Sequence, residues 1–460
     1  MRRFFNTWPA LAGLALILAA AAANAADSLD WRVKQGQVDA DIQSWNVSTL
    51  LKKIARLPGW KVYVEKGADA AVSVKFKNLS EDEALHRLLG DLNYAKDKTN
   101  GVTRLLVFRT AAKAATQIVA PEKRDYRILN EDLVKLKKGA TNSIDDMAKA
   151  LGAKVVGRDD RIGLYRLQFA DAAGAAAGLQ ALASDPSVAA ADGNYVVERP
   201  TPAQMTQVPN GSGPLFNLNP QPAANGPIVG LVDTSVDPPA QFSQYMLKAI
   251  NVTGQTDTPA DMPSHGTGML ETLLAAMPSD PSKILPVDVY GNSPTTTTFE
   301  VMEGLVAAIN AGANPINLSL GGTGQSTMLG DLISEAVQRN PPIVILAAAG
   351  NTPGEGDVYP ASYPGVISVT ASTQTVNGPI TATAGGNAQL ASYANDPPGT
   401  RVIAPGTSYV QWNGQTWVVE GTSPATASTT GTIAGLATQN GISLTQAAAL
   451  VTRVSPAPAK

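Results

Sequence analysis

The side chains of this sequence that could together make and break an acyl bond lie far apart in the chain: Asp233, His265, Asn351 and Ser423. A serine hydroxyl is a poor nucleophile at neutral pH until a base takes its proton, and the base works best when a third group holds its tautomer. His265 stands at the head of a helical pattern in Ser264-His265-Gly266-Thr267, and it is one of two histidines in 460 residues. Asp233 closes the apolar run Ile228 to Val232, where a carboxylate can orient an imidazole through the ring nitrogen not used for proton transfer. Ser423 opens a second helical pattern, so its backbone N–H is a free donor at the positive end of a helix dipole, well placed for an oxyanion. Asn351 ends the run Ala347-Ala348-Ala349-Gly350 and offers a second such donor. Each residue also has a plainer reading: Asp233 as a turn former or helix cap with Asp237 as a rival carboxylate, His265 as a structural histidine, Ser423 as a helix cap.

These positions need a scaffold, and from Pro227 onward apolar runs alternate with helical stretches. The runs are Ile228 to Val232, Ile284 to Val289, Pro315 to Leu320, Ile343 to Ala348 and Val366 to Val369. Continuous apolar strands separated by helices indicate an α/β architecture, a parallel sheet covered on both faces. Ligands of such sheets bind beyond the carboxyl ends of the strands, and most of the motifs that carry the four residues stand at or near such ends.

Two smaller α+β units are expected ahead of this region. In the first, Val72, Val74 and Phe76 alternate with Ser73, Lys75 and Lys77, and Ser80 with Glu83 forms a capping box for a helix carrying Leu85, Leu88, Leu89 and Leu92. His86 falls on the solvent face of that helix. The second, from about Asp125 to Arg199, has strands near Lys154 to Val156 and Gly163 to Phe169, with helices near Ser143 to Leu151 and Ala173 to Ala183. Between Pro200 and Pro227 the composition is that of an exposed linker, where a maturation cut is expected.

Arg2 and Arg3, the apolar stretch Ala10 to Ala23 and the tripeptide Ala23-Asn24-Ala25 form a secretory leader, predicting a mature chain from Ala26. No later segment is apolar for long enough to span a bilayer. With 35 Lys+Arg against 38 Asp+Glu, no basic excess favours a nucleic-acid partner. The absence of cysteine removes disulfides and thiolate nucleophiles.

Together the motifs resemble the subtilase family. The resemblance covers about Pro227 to Thr438 and rests on GLVDTSVD (230–237), SHGTGM (264–269), INLSLGG (316–322), AAAGN (347–351) and GTSPATASTTG (421–431). The order Asp, His, Ser is that of subtilisin. The resemblance implies a secreted serine endopeptidase, periplasmic or extracellular, that acts on peptide or protein substrates. In it Asp233, His265 and Ser423 form the triad and Asn351 the oxyanion hole, while Ser319, Leu320, Gly321, Gly322, Ala348 and Gly350 line the substrate cleft. It requires no cofactor and admits calcium, for which no ligand spacing is readable. Ser235, Gly268 and Pro424 depart from the family's motifs without removing a triad member.

Residues 120–200 resemble a subtilase propeptide through Leu151 to Val156, Leu164 to Phe169, Asp185 to Val188 and Asn194 to Val197. The resemblance implies an intramolecular chaperone whose last strand lies in the cleft, and self-maturation. Residues 26–112 resemble the short N-terminal domain of secretins and TonB-dependent receptors through Val47 to Leu57, Gly59 to Val64, Val72 to Phe76 and Ala84 to Leu92, which implies an envelope partner. The expected organisation is thus a leader at 1–25, these two units, a linker at 201–226 and a peptidase domain at 227–460. Two rival readings are an envelope-binding protein with an inactive subtilase fold, and a sedolisin-type carboxyl peptidase, which His265 disfavours.

Overall fold

The computed structural model describes residues 28–454 apart from 33–35, 57–59, 100–101, 120–125, 141, 209–217, 220, 257–260, 278 and 381–387. The leader expected at 1–25 lies outside the described residues. Two compact units divide between Val119 and Ala120.

In the first unit the strands β1 (Ser28–Arg32), β2 (Gln37–Asn46), β3 (Lys61–Glu65), β4 (Ala71–Ser80), β5 (Asn93–Thr99), β6 (Val102–Phe108) and β7 (Ala115–Val119) form two sheets, ordered β1-β2-β4 and β5-β6-β3-β7. Helices α1 (Val47–Arg56) and α2 (Glu81–Leu89) bury Leu50, Leu51, Ile54, Leu85 and Leu88 in one core. The Ser80–Glu83 capping box forms as read, and His86 is exposed. The unit extends through β7, past residue 112.

The second unit opens with β8 (Arg127–Leu136), α3 (Ile144–Ala150), β9 (Lys154–Asp159), β10 (Leu164–Gln168), α4 (Ala172–Ser184) and β11 (Val188–Glu198). These four strands pair antiparallel in the order β11-β8-β10-β9, and Ala148, Leu167, Ala175 and Leu182 fill the layer between sheet and helices.

The large sheet follows. Its elements are β12 (Gln204–Gln207), β13 (Ile228–Asp233), β14 (Ile250–Asn251), α5 (His265–Ala275), β15 (Lys283–Asp288), β16 (Thr295–Thr297), α6 (Thr298–Asn310), β17 (Ile316–Leu318), α7 (Thr327–Val337), β18 (Ile345–Ala348), β19 (Ile367–Thr375), β20 (Val402–Trp412), β21 (Gln415–Glu420), α8 (Thr422–Asn440) and α9 (Leu444–Val454). The order is β12-β21-β20-β19-β18-β17-β13-β15-β14, with β14 through β20 parallel and β20, β21 and β12 antiparallel at one edge. Period two divides β13 between the faces. Val229 and Leu231 pack with Met269, Leu273 and Ala434 of α5 and α8, whereas Val232 packs with Leu305 and Ile333 of α6 and α7. This is the doubly covered parallel sheet expected from the sequence, with one correction. Gln204–Gln207, inside the expected linker, is a strand paired with β21, because the edge strand β21 presents backbone groups that an extended neighbour satisfies.

Helices α5 and α8 run side by side at close range. A Cβ on Gly431 would stand 2.3 Å from the Leu273 carbonyl oxygen, and one on Gly435 would stand 3.0 Å from Met277 Cβ. Position 431 faces 273 and 435 faces 277 at the same sequence offset that separates Ser423 from His265, so the parallel register brings the two helix N-termini level. Glu271, on α5, is 5 % exposed. Its Oε2 accepts the Gln411 N–H at 2.7 Å, while Oε1 has no partner.

Two predictions follow from this packing. Alanine at position 431 gains about 1 kcal/mol of helix propensity, yet its methyl meets a backbone carbonyl that cannot rotate away. Gly431→Ala is expected to destabilise by about 1–3 kcal/mol in net terms, as overpacking does, measured by denaturant unfolding. Burial pushes the Glu271 carboxyl up to about 8 from 4.5. The folded chain then holds a proton that the unfolded chain has lost, so this residue's contribution to stability falls as pH rises from 4.5 to about 8. The melting temperature of Glu271→Gln relative to the unsubstituted chain should rise between about pH 5 and about pH 9; a constant difference across that range would contradict the assignment.

Candidate active site

Asp233 is the last residue of β13 and is fully buried. Its Oδ1 accepts the Thr234 N–H at 2.7 Å and meets His265 Nδ1 at 2.7 Å. The loop after β13 and the start of α5 are locked together. Thr234 Oγ1 accepts the Gly266 N–H at 2.8 Å, and Ser264 Oγ lies 2.6 Å from the Ser235 carbonyl while accepting the Thr267 N–H. Gly266 is required here, since a Cβ would stand 2.4 Å from the Thr234 carbonyl oxygen. His265 is therefore held by the helix cap as well as by the carboxylate. Asp237, the rival carboxylate, is exposed, and its backbone N–H donates to Thr267 Oγ1.

With Nδ1 committed to Asp233, His265 Nε2 is buried without a hydrogen-bond partner. An orphaned buried acceptor is costly, and this one is an imidazole nitrogen able to take a proton. Ser423 is the second residue of α8 and is 4 % exposed. No hydrogen bond joins it to His265. Ser423 Oγ instead donates to the Ser319 carbonyl at 3.2 Å, and Ser319 Oγ donates to the Ser423 carbonyl at 3.0 Å. A 3.2 Å O–H···O contact is long for its type.

Asn351 follows β18. Its Oδ1 accepts the Thr422 N–H at 2.8 Å and the Thr422 hydroxyl at 3.0 Å. That fixes the amide so that Nδ2 donates to the Thr201 carbonyl at 3.4 Å. The side chain thus presents an N–H pair to a peptide carbonyl belonging to the chain itself. Gly350 donates its N–H to Thr422 Oγ1. Ser319, Leu320 and Ala348 are buried, while Gly321, Gly322 and Gly350 are partly exposed.

An extended segment crosses this region. Val196–Glu198 pairs antiparallel with β16, Arg199 donates its N–H to the Pro294 carbonyl at 2.8 Å, Thr201 reaches Asn351, and β12 then pairs with β21. Gly322, expected to line the cleft, lies against this segment, since a Cβ there would stand 3.5 Å from the Val196 carbonyl oxygen. Its N–H and carbonyl are both bonded to Tyr359, at 2.9 and 2.7 Å, so the extended segment finds its hydrogen-bond partners on β16.

Upstream, β11 grips the large unit through two side chains that sequence reasoning overlooked. Asp192 Oδ2 accepts from Ser326 Oγ at 2.8 Å and from the Met328 N–H at 3.2 Å, capping α7, and Asn194 Oδ1 accepts the Phe299 N–H of α6 at 3.3 Å. The available signal was Asp192-Gly193-Asn194, polar residues inside an otherwise strand-like run.

Calcium needs about six to eight oxygen ligands, usually with carboxylates among them. Among the described residues no three or more His, Cys, Asp or Glu side chains converge.

The profile of the subtilase family matches residues 224–453, and that of the fervidolysin N-terminal prodomain matches residues 112–194. A thermophilic serine proteinase of Bacillus sp. (strain AK1) is 26% identical over 358 residues, 73% of this chain and 85% of that protein. A thermostable alkaline protease of Halalkalibacterium halodurans is 31% identical over 185 residues, 38% of this chain and 47% of the relative. In fold, the chain is similar to the crystal structure of fervidolysin from Fervidobacterium pennivorans, a keratinolytic enzyme related to subtilisin. The TM-score is 0.53 at 22% identity, covering 70% of this chain and 56% of that one. The matched part thus spans about half the length of the alkaline protease and of fervidolysin. A family match across half of the chain, set on a doubly covered parallel sheet, fixes the assignment: the chain belongs to the subtilase family of serine peptidases.

Proposed function

We propose that this chain is an exported serine endopeptidase that forms an acyl-enzyme on Ser423, and that it is made in a latent form with its own segment 195–207 across the cleft. The observation that carries the reading is the pairing of His265 Nδ1 with the buried Asp233 carboxylate at 2.7 Å, which leaves Nε2 unpartnered. In the proposed reaction Ser423 Oγ turns from the Ser319 carbonyl to Nε2 and attacks a peptide carbonyl as His265 takes its proton. Asp233 holds the tautomer and stabilises the imidazolium. The oxyanion is bound by Asn351 Nδ2 and the Ser423 N–H, a donor at the start of α8 that no intrahelical carbonyl uses. The imidazolium returns the proton to the leaving amine as the C–N bond breaks. Water, deprotonated by the same imidazole, then hydrolyses the ester.

Latency follows from the hydrogen bonds of the prodomain. The Asp192 and Asn194 caps and the β11–β16 and β12–β21 pairings hold the segment in place. Export, to the periplasm or beyond, rests on the leader expected at 1–25, and a cut between about residues 200 and 227 would release the peptidase domain. Peptides and the chain's own prodomain are the partners in this reading. An envelope docking role for residues 26–112 rests on its apolar pattern alone and would show as a cross-link to an envelope protein that a chain lacking those residues does not form.

Ser423→Ala is expected to abolish both peptide hydrolysis and removal of the segment ahead of about residue 210, a loss of about 10⁶ in turnover. Asn351→Ala, which leaves the triad intact, should cost about 10² to 10³. Both magnitudes are those measured on subtilisin, a relative. Steady-state hydrolysis by the purified proteins, with N-terminal sequencing, checks both; unchanged turnover in Ser423→Ala would overturn the assignment.

A further inference from the structure

The segment across the cleft carries one cationic side chain, and the turn it meets is built to receive a guanidinium. Arg199 Nη1 donates to the carbonyls of Gly291 and Ser293, at 3.2 and 3.1 Å, and the guanidinium lies over the Tyr290 ring at 6.0 Å from its centroid. The turn is preformed. Asp288, at the end of β15, accepts the N–H groups of Tyr290 and Gly291 on Oδ1, both at 2.9 Å, and Ser293 donates back to the Tyr290 carbonyl. Gly291 has φ +53°, and a Cβ there would stand 2.5 Å from Thr253 Oγ1, so this sharp backbone has no room for a side chain. The cavity beside it, about 760 Å³, runs from Arg199 past Asp237 and Asp288 to His265. Apart from Arg199, its lining holds two carboxylates and no Lys or other Arg.

Two carbonyl acceptors converging on one nitrogen, an aromatic face and flanking carboxylates are complementary to a planar cation. A leucine in the same place would leave both carbonyls without that donor, and a glutamate would face like charge. We infer that the Tyr290–Ser293 turn is a specificity subsite for arginine. The substrate class is then extended peptides with Arg two residues ahead of the carbonyl presented to Asn351. The inference rests on the proposed peptidase reading for the word substrate, although the subsite itself does not. The chain's own occupant is suited to stay rather than to be cut. Thr201 stands between Pro200 and Pro202, whose rings fix φ and leave no N–H on the nitrogen following the Thr201 carbonyl.

Two measurements test the subsite on the full chain. In a Ser423→Ala background, Arg199→Leu should speed amide exchange in Val196–Glu198 and Thr295–Thr297 by about tenfold, with Arg199→Lys in between. On the chain with Ser423 intact, once the segment ahead of about residue 210 has been cleaved off, a peptide with Arg at that position should exceed its Leu counterpart in kcat/KM by about tenfold or more. Exchange unchanged by Arg199→Leu, or equal kcat/KM for the two peptides, overturns the inference. No hydrolysis of either peptide, with exchange accelerated as expected, supports the subsite and overturns the catalytic reading instead.

Discussion

A buried carboxylate that accepts one imidazole nitrogen decides what the other nitrogen can do, and the structure of the larger unit is arranged around that constraint. Asp233 is fully buried and retains an unpartnered Oδ2 even after bonding Thr234 and His265. Such a group is tolerated because β13 delivers it to the end of a parallel strand, and because the Ser264 cap and Gly266 bring α5 up against the following loop. Moving α5 would expose the pair to water and weaken the bond between them. The glycines at the α5–α8 contact serve the same end, since they set the separation at which the first turns of the two helices stand level.

Around this fixed pair the remaining parts are adjustable. Ser423 rests on a long hydrogen bond to the Ser319 carbonyl, a contact of modest net worth. Asn351 is rigid where Ser423 is not. Thr422 holds its oxygen from two sides, which orients the amide toward the Thr201 carbonyl. A preoriented dipole costs no reorganisation during the reaction. The chain's own backbone meets the Asn351 amide and the edges of β16 and β21.

The parallel sheet was legible in the sequence because fully buried strands read as unbroken apolar runs, as in Ile228–Val232 and Ile343–Ala348. The ends of those runs located Asp233 and Asn351. Less legible was everything decided by partners distant in sequence. Gln204–Gln207 has a linker's composition and becomes a strand because β21 is an open edge. Asp192 and Asn194 read as ordinary polar residues of a strand, and act as caps for helices more than a hundred residues away. The backbone pairing of Gly322 with Tyr359 also joins residues far apart in the sequence. Ser423 was expected at the start of a helix and stands there, whereas the acceptor of its hydroxyl, a backbone carbonyl, has no signature in residue type.

The central claim is that His265, held by Asp233, activates Ser423. Covalent labelling with a fluorophosphonate, followed by peptide mapping, tests it most directly, because the reagent bonds to a serine in proportion to its nucleophilicity. The account predicts an adduct on Ser423 that is lost in His265→Gln while circular dichroism shows the fold retained. An adduct absent from Ser423, or one formed equally fast without the imidazole, would contradict it.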